Sequence, residues 1–466
     1  MIFRSFKLET AATFHVAVLG VFASWALGGG TAWAATTISV VGGFAPLITL
    51  LAIRERHLSG LKPTPILHTL WPLLAFNILV VLGTFQPSFR IAFIEGANVY
   101  VPRNDLTFLP SSARPELALK ALWLFDATFL TCFNLLLAVR HSRTLRILLL
   151  VLAGNTLALA VFGSVQKFSG ASGLFFGRIA SPNTSFFASF IYHNHWGTFA
   201  LLMLAVCLGL LFHQQRRSHH RDVWHSPLPA AVVVIFFLAV TIPLCGSRSC
   251  SLLAILLLVA ALIHGLVRIV SHRHEDGRAA FKPATALVLV ALVAFVSLFT
   301  LARPSIESRI NDSQNQLLQM RSEGSIGGRA TLYRDTWRMA CDRPWFGWGL
   351  GSYGTVFMRY NTQTSPVDRL PVYYQDAHSD WLQLFAETGV IGSLFFLLLL
   401  LVPLSFLRPF KQISALPTYL LAGCGFILLY AWIEFPFGNP SVTMTFWTCF
   451  FCAVRWFQIE QRELAG

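Results

Sequence analysis

The chain has 466 residues, of which 55% are hydrophobic and only 12% are charged. Soluble globular domains carry about a quarter of charged residues, so the composition excludes an ordinary soluble fold and indicates a polytopic membrane protein. The net charge of +14 does not indicate nucleic-acid binding, because the basic residues are not gathered on one soluble face.

Apolar runs long enough to cross a bilayer, about 20 residues each, recur along the chain. They fall near 11–29, 34–53, 65–85, 117–139, 145–163, 190–212, 229–246, 250–270, 284–302, 389–407, 417–435 and 441–458. We therefore predict an all-α integral membrane protein with about twelve transmembrane helices. The first run lacks a small-residue cleavage site followed by a hydrophilic domain, so we expect a retained helix and not a signal peptide.

Basic residues cluster on every second connection between these runs. The clusters lie at 4–7, 54–62, 140–146, 216–221, 268–282 and 408–411. The positive-inside rule then predicts that both termini are cytoplasmic and that the long polar segment 303–388 lies on the outer side. The expected organisation is helices 1–9 in residues 1–302, a large outer loop with short helices in 303–388, and helices 10–12 with a cytoplasmic C-terminus in 389–466.

Two parts of the large loop have local signals. Apolar residues at helical spacing within 330–341 predict a short surface helix. The glycine-rich tract 347–354 lacks the lysine and the preceding strand of a phosphate-binding loop, so we favour a tight turn over a nucleotide site.

His378 is the candidate general base of the loop. It should begin a helix that continues unbroken into the tenth span, with Asp376 or Ser379 as the cap. The positive end of a helix disfavours the imidazolium, which favours the neutral form that a base requires. The alternative is that His378 is a surface or capping residue, as lone loop histidines usually are.

Arginines on the predicted outer side form a second group. Its members are Arg178, Arg248, Arg329, Arg334, Arg338 and Arg343. The positive-inside rule gives no reason for them, and guanidinium groups bind phosphate oxygens bidentately, which suits a pyrophosphate-linked substrate. The alternative is that they pair with acidic residues nearby, namely Asp335, Asp342, Asp368, Asp376 or Glu387.

Other titratable residues give weaker signals. His193 and His195 are two residues apart and cannot share a helical face, so a structural or substrate-contacting role is favoured over a metal site. Asp126 and Glu434 lie within apolar runs, where each could serve a proton path but more often pairs with a polar neighbour or an arginine. The eight cysteines form no disulfide or metal pattern and suit small buried side chains.

The order of these motifs resembles the O-antigen ligase and polymerase superfamily over roughly the C-terminal two thirds of the chain. The matching stretches are Arg178, Asn194-His195-Trp196-Gly197, Gly246-Ser247-Arg248-Ser249, Gly328-Arg329, Trp337, Asp342 to Tyr353, Ala377 to Gln383 and Glu387 to Gly392. The departure is Ser379, where the family commonly has asparagine.

The resemblance implies a GT-C-like glycosyltransferase of the bacterial inner membrane with its active site on the periplasmic face. Such enzymes move a glycan from an undecaprenyl-pyrophosphate carrier to an acceptor hydroxyl, with inversion and without a metal or other cofactor. His378 would be the base, and Arg178, Arg248, Arg329 and Arg338 would bind the pyrophosphate. The supporting residues would be Asn194, His195, Tyr374, Asp376, Gln383 and Glu387.

Several functions remain open at this stage. The acceptor could be lipid A–core, a second carrier-linked repeat unit or a protein hydroxyl, and we rank the ligase first because one dominant outer loop and twelve spans are the ligase layout. A lipid-linked glycan transporter would predict charges at the bilayer midplane and repeated halves, neither of which is evident. A membrane scaffold would leave His378 and the outer arginines unexplained.

Overall fold

The structure is a computed structural model, and it is mostly helical. It describes residues 2–94, 96–103, 105–183, 185–215, 228–275, 328–364, 370–407 and 414–465, together with 285 and 300. The predicted ninth span, 284–302, and the first part of the predicted loop, 303–327, lie almost entirely outside the described residues.

The helices of the N-terminal half precede and follow one short hairpin. They are α1 (Ile2–Trp25), α2 (Ala32–Gly42), α3 (Ala45–Leu58), α4 (Thr64–Leu67), α5 (Trp71–Thr84), α6 (Pro115–Ala138) and α7 (Ser142–Phe168). The hairpin between α5 and α6 pairs β1 (Phe89–Ile94) antiparallel with β2 (Ala97–Pro102).

The C-terminal half is also helical. Its helices are α8 (His193–Gln215), α9 (Leu228–Leu244), α10 (Arg248–Glu275), α11 (Gly328–Cys341), α12 (Tyr353–Val356), α13 (Asp380–Leu404), α14 (Ala415–Tyr430) and α15 (Pro440–Ala465). The predicted surface helix at 330–341 corresponds to α11.

Eight helical stretches among the described residues are long and apolar enough to cross a membrane. They are Leu8–Trp25, Ala32–Leu58, Thr64–Thr84, Pro115–Ala138, Ser142–Phe168, His193–Gln214, Arg248–Ser271 and Asp380–Leu407. Two shorter apolar helices, Pro229–Leu244 and Ala415–Tyr430, fall on further predicted runs. The chain is thus a multi-pass, mostly helical membrane protein, as the composition predicted, while the total of twelve spans remains a prediction.

Helix α8 lies at the centre of the bundle. Its residues from Phe199 to Leu208 are buried on every side, which is the pattern of a helix that is apolar all round. Helices α6 and α15 pack through aromatic rings, with Phe129 lying 4.7 Å from Trp447 and 5.4 Å from Phe451 between ring centroids. This core fixes the two ends of α8 and α15, and the N-terminal end of α8 carries part of the candidate site.

Helix α13 differs from the prediction of an unbroken helix that starts at His378. It begins at Asp380, and Ser379 is the N-cap whose side chain accepts the Leu382 N–H. Gly389 interrupts it with φ 64° and ψ −169°. The backbone of 344–349 fills the break, since Val390 N–H donates to Pro344 O at 2.8 Å and Gly349 N–H donates to Glu387 O at 2.8 Å. The interruption therefore leaves few unpaired backbone groups near the membrane surface.

We expect Gly389→Ala to lower the thermal unfolding midpoint of the purified protein strongly, with a destabilisation of about 2–4 kcal/mol. A Cβ atom there would lie 2.3 Å from the Trp345 carbonyl carbon, and φ is positive. The matched control is Gly425→Ala in α14, where an added Cβ meets no atom within 4 Å. Equal midpoints for the two variants would show that the break in α13 is not needed for stability.

Arg343 joins the large loop to the connection after the β-hairpin. Its guanidinium is buried, forms a bidentate ion pair with Asp105, with 2.7 Å between Nη2 and Oδ1, and donates to Ser111 Oγ at 2.5 Å. The guanidinium also stacks on the ring of Trp348, with its central carbon 4.1 Å from the ring centroid. Burial would raise the pKa of Asp105, but Arg343 outweighs that effect and holds it below its usual range. Arg343 thus has a structural partner, although Asp105 is not one of the acidic residues that were predicted to pair with the outer arginines.

Candidate active site

Glu434 is the centre of a polar cluster at one end of the bundle. It lies in the connection between α14 and α15, and only 3% of it is exposed. Its carboxylate forms an ion pair with Arg329 of α11, accepts the Asn194 side-chain N–H at 3.1 Å and accepts the Tyr192 hydroxyl at 3.3 Å. Three segments that are distant in sequence therefore converge on one buried carboxylate.

His378 is the fourth residue at this carboxylate. Its Nδ1 atom is buried, lies 3.7 Å from Glu434 Oε2, which is an ion-pair distance, and makes no hydrogen bond to the described residues. The imidazole meets the Phe435 ring edge to face at 4.8 Å, and 30% of the side chain is exposed. Because Nδ1 is buried, the exposed part of the ring belongs to its other atoms, so Nε2 is the nitrogen left to exchange a proton with a bound molecule.

The turn before α13 fixes His378 relative to Glu434. His378 has φ 51°, a left-handed conformation that few residues other than glycine adopt, although histidine is among those enriched there. Its carbonyl accepts the Tyr333 hydroxyl at 2.9 Å. Asp380 N–H donates to Glu434 O at 3.2 Å, and the Asp380 side chain accepts the Phe437 N–H at 2.8 Å. The segments that carry the imidazole and the carboxylate are thus joined by hydrogen bonds, and these fix the distance between the two side chains.

The charges of the cluster favour an ionised Glu434. Burial opposes ionisation, but His378 and Arg329 outweigh it and hold the pKa of Glu434 below its usual range. Burial, together with the charge of Glu434, raises the pKa of Tyr192, so this phenol stays protonated and donates. The carboxylate can therefore orient the His378 ring and stabilise its protonated form.

An aromatic layer closes the cluster on the side of α8. The Phe435 ring stacks on Tyr192 at 5.4 Å and meets His195 edge to face at 5.2 Å. His195 Nε2 lies 3.3 Å from Phe435 O. The first turn of α8 therefore supplies Asn194 and His195 to the same site as His378, with Asn194 on the carboxylate and His195 behind the ring of Phe435.

The remaining supporting residues lie beneath the His378 turn. Gln383 accepts the Ala377 N–H at 3.0 Å, and burial raises the pKa of Asp376 next to it. Glu387 accepts the N–H groups of Gly351 at 2.8 Å and Tyr353 at 3.0 Å. Those donors of the glycine tract are therefore occupied by a carboxylate of the chain itself. Tyr374 lies further out and donates to Gln363 at 3.0 Å.

The predicted arginines are distributed unevenly around the cluster. Arg329 lies in it, with its guanidinium on Glu434 and on Ile433 O at 3.1 Å. Arg338 lies nine residues along α11, about 13–14 Å further along the axis and on the opposite face, and it pairs with Asp335 at 3.9 Å. The structure therefore does not bring Arg329 and Arg338 to one point, because helical geometry separates them.

Arg248 and Arg178 are both exposed. Arg248 is the first residue of α10, and the preceding Ser247 packs on the first turn of α8, where a Cβ atom at Gly197 would lie 2.9 Å from that of Ser247. Arg178 lies in the connection between α7 and α8, next to a bridge that pairs Leu174 with Ile179. Arg178 thus lies in the connection that leads to α8, and Arg248 begins a helix whose preceding residue packs on α8.

Glu434 was not among the predicted site residues, although the sequence contained a signal for it. It is one of two carboxylates in apolar runs, and such residues usually pair with a polar group or an arginine. Both do so here: Glu434 pairs as described, and Asp126 accepts the Asn77 side-chain N–H at 3.0 Å. Nothing in the sequence alone identifies His378 and Arg329 as the partners of Glu434.

Comparison with known proteins gives one finding. A family model described as O-antigen ligase matches residues 231–397, and no curated protein matches the chain. The matched range includes Arg248, Arg329 and His378. Arg178, Asn194 and Glu434 lie outside it.

Proposed function

We propose that the chain transfers a glycan from an undecaprenyl-pyrophosphate carrier to an acceptor hydroxyl. The premise is that it carries a domain of the O-antigen ligase superfamily, whose members are glycosyltransferase-like membrane enzymes. The observation that carries the proposal is the pairing of His378 with the buried carboxylate of Glu434. An imidazole whose buried nitrogen faces an ionised carboxylate at 3.7 Å, and whose ring is partly exposed, is suited to general base catalysis.

In this mechanism Nε2 of His378 takes the proton of the acceptor hydroxyl. The acceptor oxygen attacks the anomeric carbon of the glycan as the bond to the pyrophosphate oxygen breaks, and the electron pair leaves with the pyrophosphate. Glu434 faces Nδ1 and stabilises the positive charge that forms on the imidazole. A single displacement of this kind inverts the anomeric carbon.

Arg248 and Arg178 are the groups that we assign to the leaving pyrophosphate. Their exposed guanidinium groups can bind phosphate oxygens bidentately and stabilise charge that develops in the transition state. Arg329 has a different role in the proposal. Its charge keeps Glu434 ionised, so it acts on the base and only indirectly on the donor.

The acceptor that we propose first is lipid A–core, which makes the protein an O-antigen ligase of the bacterial inner membrane acting at the periplasmic face. The residues of the cluster serve equally well for transfer to a carrier-linked repeat unit or to a serine or threonine hydroxyl. The choice among the three depends on residues that bind the acceptor.

The test is a transfer assay with the purified protein and undecaprenyl-pyrophosphate-linked glycan, offering lipid A–core, carrier-linked repeat units and a serine-containing peptide side by side. We expect product on lipid A–core. Product only on repeat units or only on the peptide would assign the polymerase or the protein glycosyltransferase. Movement of the donor across a bilayer with no product on any acceptor would replace the transferase by a transporter.

A further inference from the structure

Two buried arginines lie at the end of the bundle opposite His378. Arg56 of α3 is 2% exposed, and Arg455 of α15 is fully buried. Arg455 is fifteen residues beyond Pro440, where α15 begins close to Glu434, so about 22 Å of helix separates it from the candidate active site. The proposed reaction uses neither residue.

Each arginine donates to a carbonyl at the end of α6. Arg56 Nε donates to Leu137 O at 2.7 Å, and Arg455 Nε donates to Val139 O at 2.5 Å. These bonds satisfy carbonyls at the negative end of a helix, and they give the Nε–H group of each guanidinium a partner. They do not account for the Nη2 atoms, which are buried and have no hydrogen-bond partner among the described residues. Buried positive charge is normally balanced by negative charge nearby, so the two arginines require an anion in their surroundings.

The surroundings of the pair have a surplus of positive charge. Arg140 and Arg462 act electrostatically on both buried arginines. The acidic residues are Glu9, which accepts from His141 Nδ1 at 2.9 Å, and Glu55, which pairs with Arg140 at 3.3 Å. Four arginines thus face two carboxylates, of which Glu55 pairs with Arg140 of the same group and Glu9 contacts His141.

We propose that this arginine cluster, Arg56, Arg140, Arg455 and Arg462, binds the phosphate of an anionic phospholipid in the leaflet opposite the active site. A phosphate that contacts Arg140 and Arg462 at the accessible edge of the cluster supplies the negative charge that the two buried guanidinium groups lack. Arg462 lies seven residues after Arg455 on the same face of α15 and is exposed, so it gives the cluster an edge towards the headgroup region. Basic pockets between transmembrane helices on the cytoplasmic side bind such headgroups.

The experiment measures lipid binding to the full-length protein by native mass spectrometry and the thermal unfolding midpoint. The probes are phosphatidylglycerol, phosphatidylcholine and inorganic phosphate at equal concentrations. We expect phosphatidylglycerol to bind and to raise the midpoint, with no comparable effect of the other two. An equal effect of phosphatidylcholine would overturn the proposal, and an equal effect of inorganic phosphate would overturn the lipid as the source.

Three variants locate the binding. Loss of one arginine of the cluster, which lies next to the bound phosphate, should weaken phosphatidylglycerol binding about fivefold. We expect this for Arg455→Gln and also for Arg462→Gln, which is exposed and keeps the test decisive if the buried variant does not fold. Arg54→Gln, an exposed arginine of α3, is the matched control. Equal weakening in Arg54→Gln, or none in Arg462→Gln, would contradict a specific site.

Discussion

Replacing His378 by asparagine is expected to lower the rate constant of glycan transfer about 10³-fold while leaving the unfolding midpoint nearly unchanged. Asparagine tolerates the left-handed conformation that His378 adopts at φ 51°, so the turn before α13 should survive. It cannot accept the proton of the acceptor hydroxyl. The measurement is the initial rate of transfer from undecaprenyl-pyrophosphate-linked glycan to lipid A–core, with the midpoint recorded on the same preparation.

Two further measurements distinguish the loss of a catalytic base from the loss of folded structure. Donor binding by His378→Asn should persist, because the substitution removes the base and leaves the arginines that we assign to the pyrophosphate in place. His57→Ala, which removes an exposed histidine of α3, should behave as wild type. Retention of more than a tenth of the activity by His378→Asn would remove His378 from the role of base.

Local features of the structure were predictable because their causes are local. The surface helix at 330–341 follows from apolar spacing and is present as α11, and Ser379 caps α13 because its side chain can reach the Leu382 N–H. The apolar runs gave most of the membrane helices, because a bilayer requires about 20 apolar residues in succession.

Features that depend on distant contacts were not predictable. The break at Gly389 is held open by backbone hydrogen bonds from 344–349, and Arg343 pairs with Asp105 across 238 positions. The pairing of Glu434 with Arg329 spans 105 positions. A single sequence shows that such residues need partners but does not say which ones, so the imidazole was predicted and its carboxylate was not.

The pH dependence of stability follows from the depressed pKa of Glu434. A carboxyl group with a lowered folded-state pKa contributes stability that is fully present above its unfolded value of 4.5 and is lost as the pH falls through the folded value. Glu434 is therefore ionised throughout the range from about pH 6 to 8, where transfer would be assayed. Any change of rate in that range has to come from another group.

Glu434→Gln is expected to lower the turnover number at least about 100-fold with little change in KM for the donor. Glutamine has the same shape but no charge, so it neither stabilises a protonated His378 nor neutralises Arg329. Because Glu434 acts through His378, it is a positioning residue, and a purely structural role would instead lower the amount of folded protein. The measurement is kcat and KM on the same transfer reaction, accompanied by the unfolding midpoint.

A double-mutant cycle with Arg329→Gln distinguishes the two functions of the carboxylate. If Glu434 served only to neutralise Arg329, removing both charges would restore most of the activity, because neither charge would be left uncompensated. If Glu434 orients and stabilises the imidazole, the double variant stays as slow as Glu434→Gln. Arg329→Gln alone is then less impaired than Glu434→Gln and less impaired than the double variant. We expect the second pattern, since His378 and Arg329 approach opposite oxygens of the same carboxylate, Oε2 and Oε1.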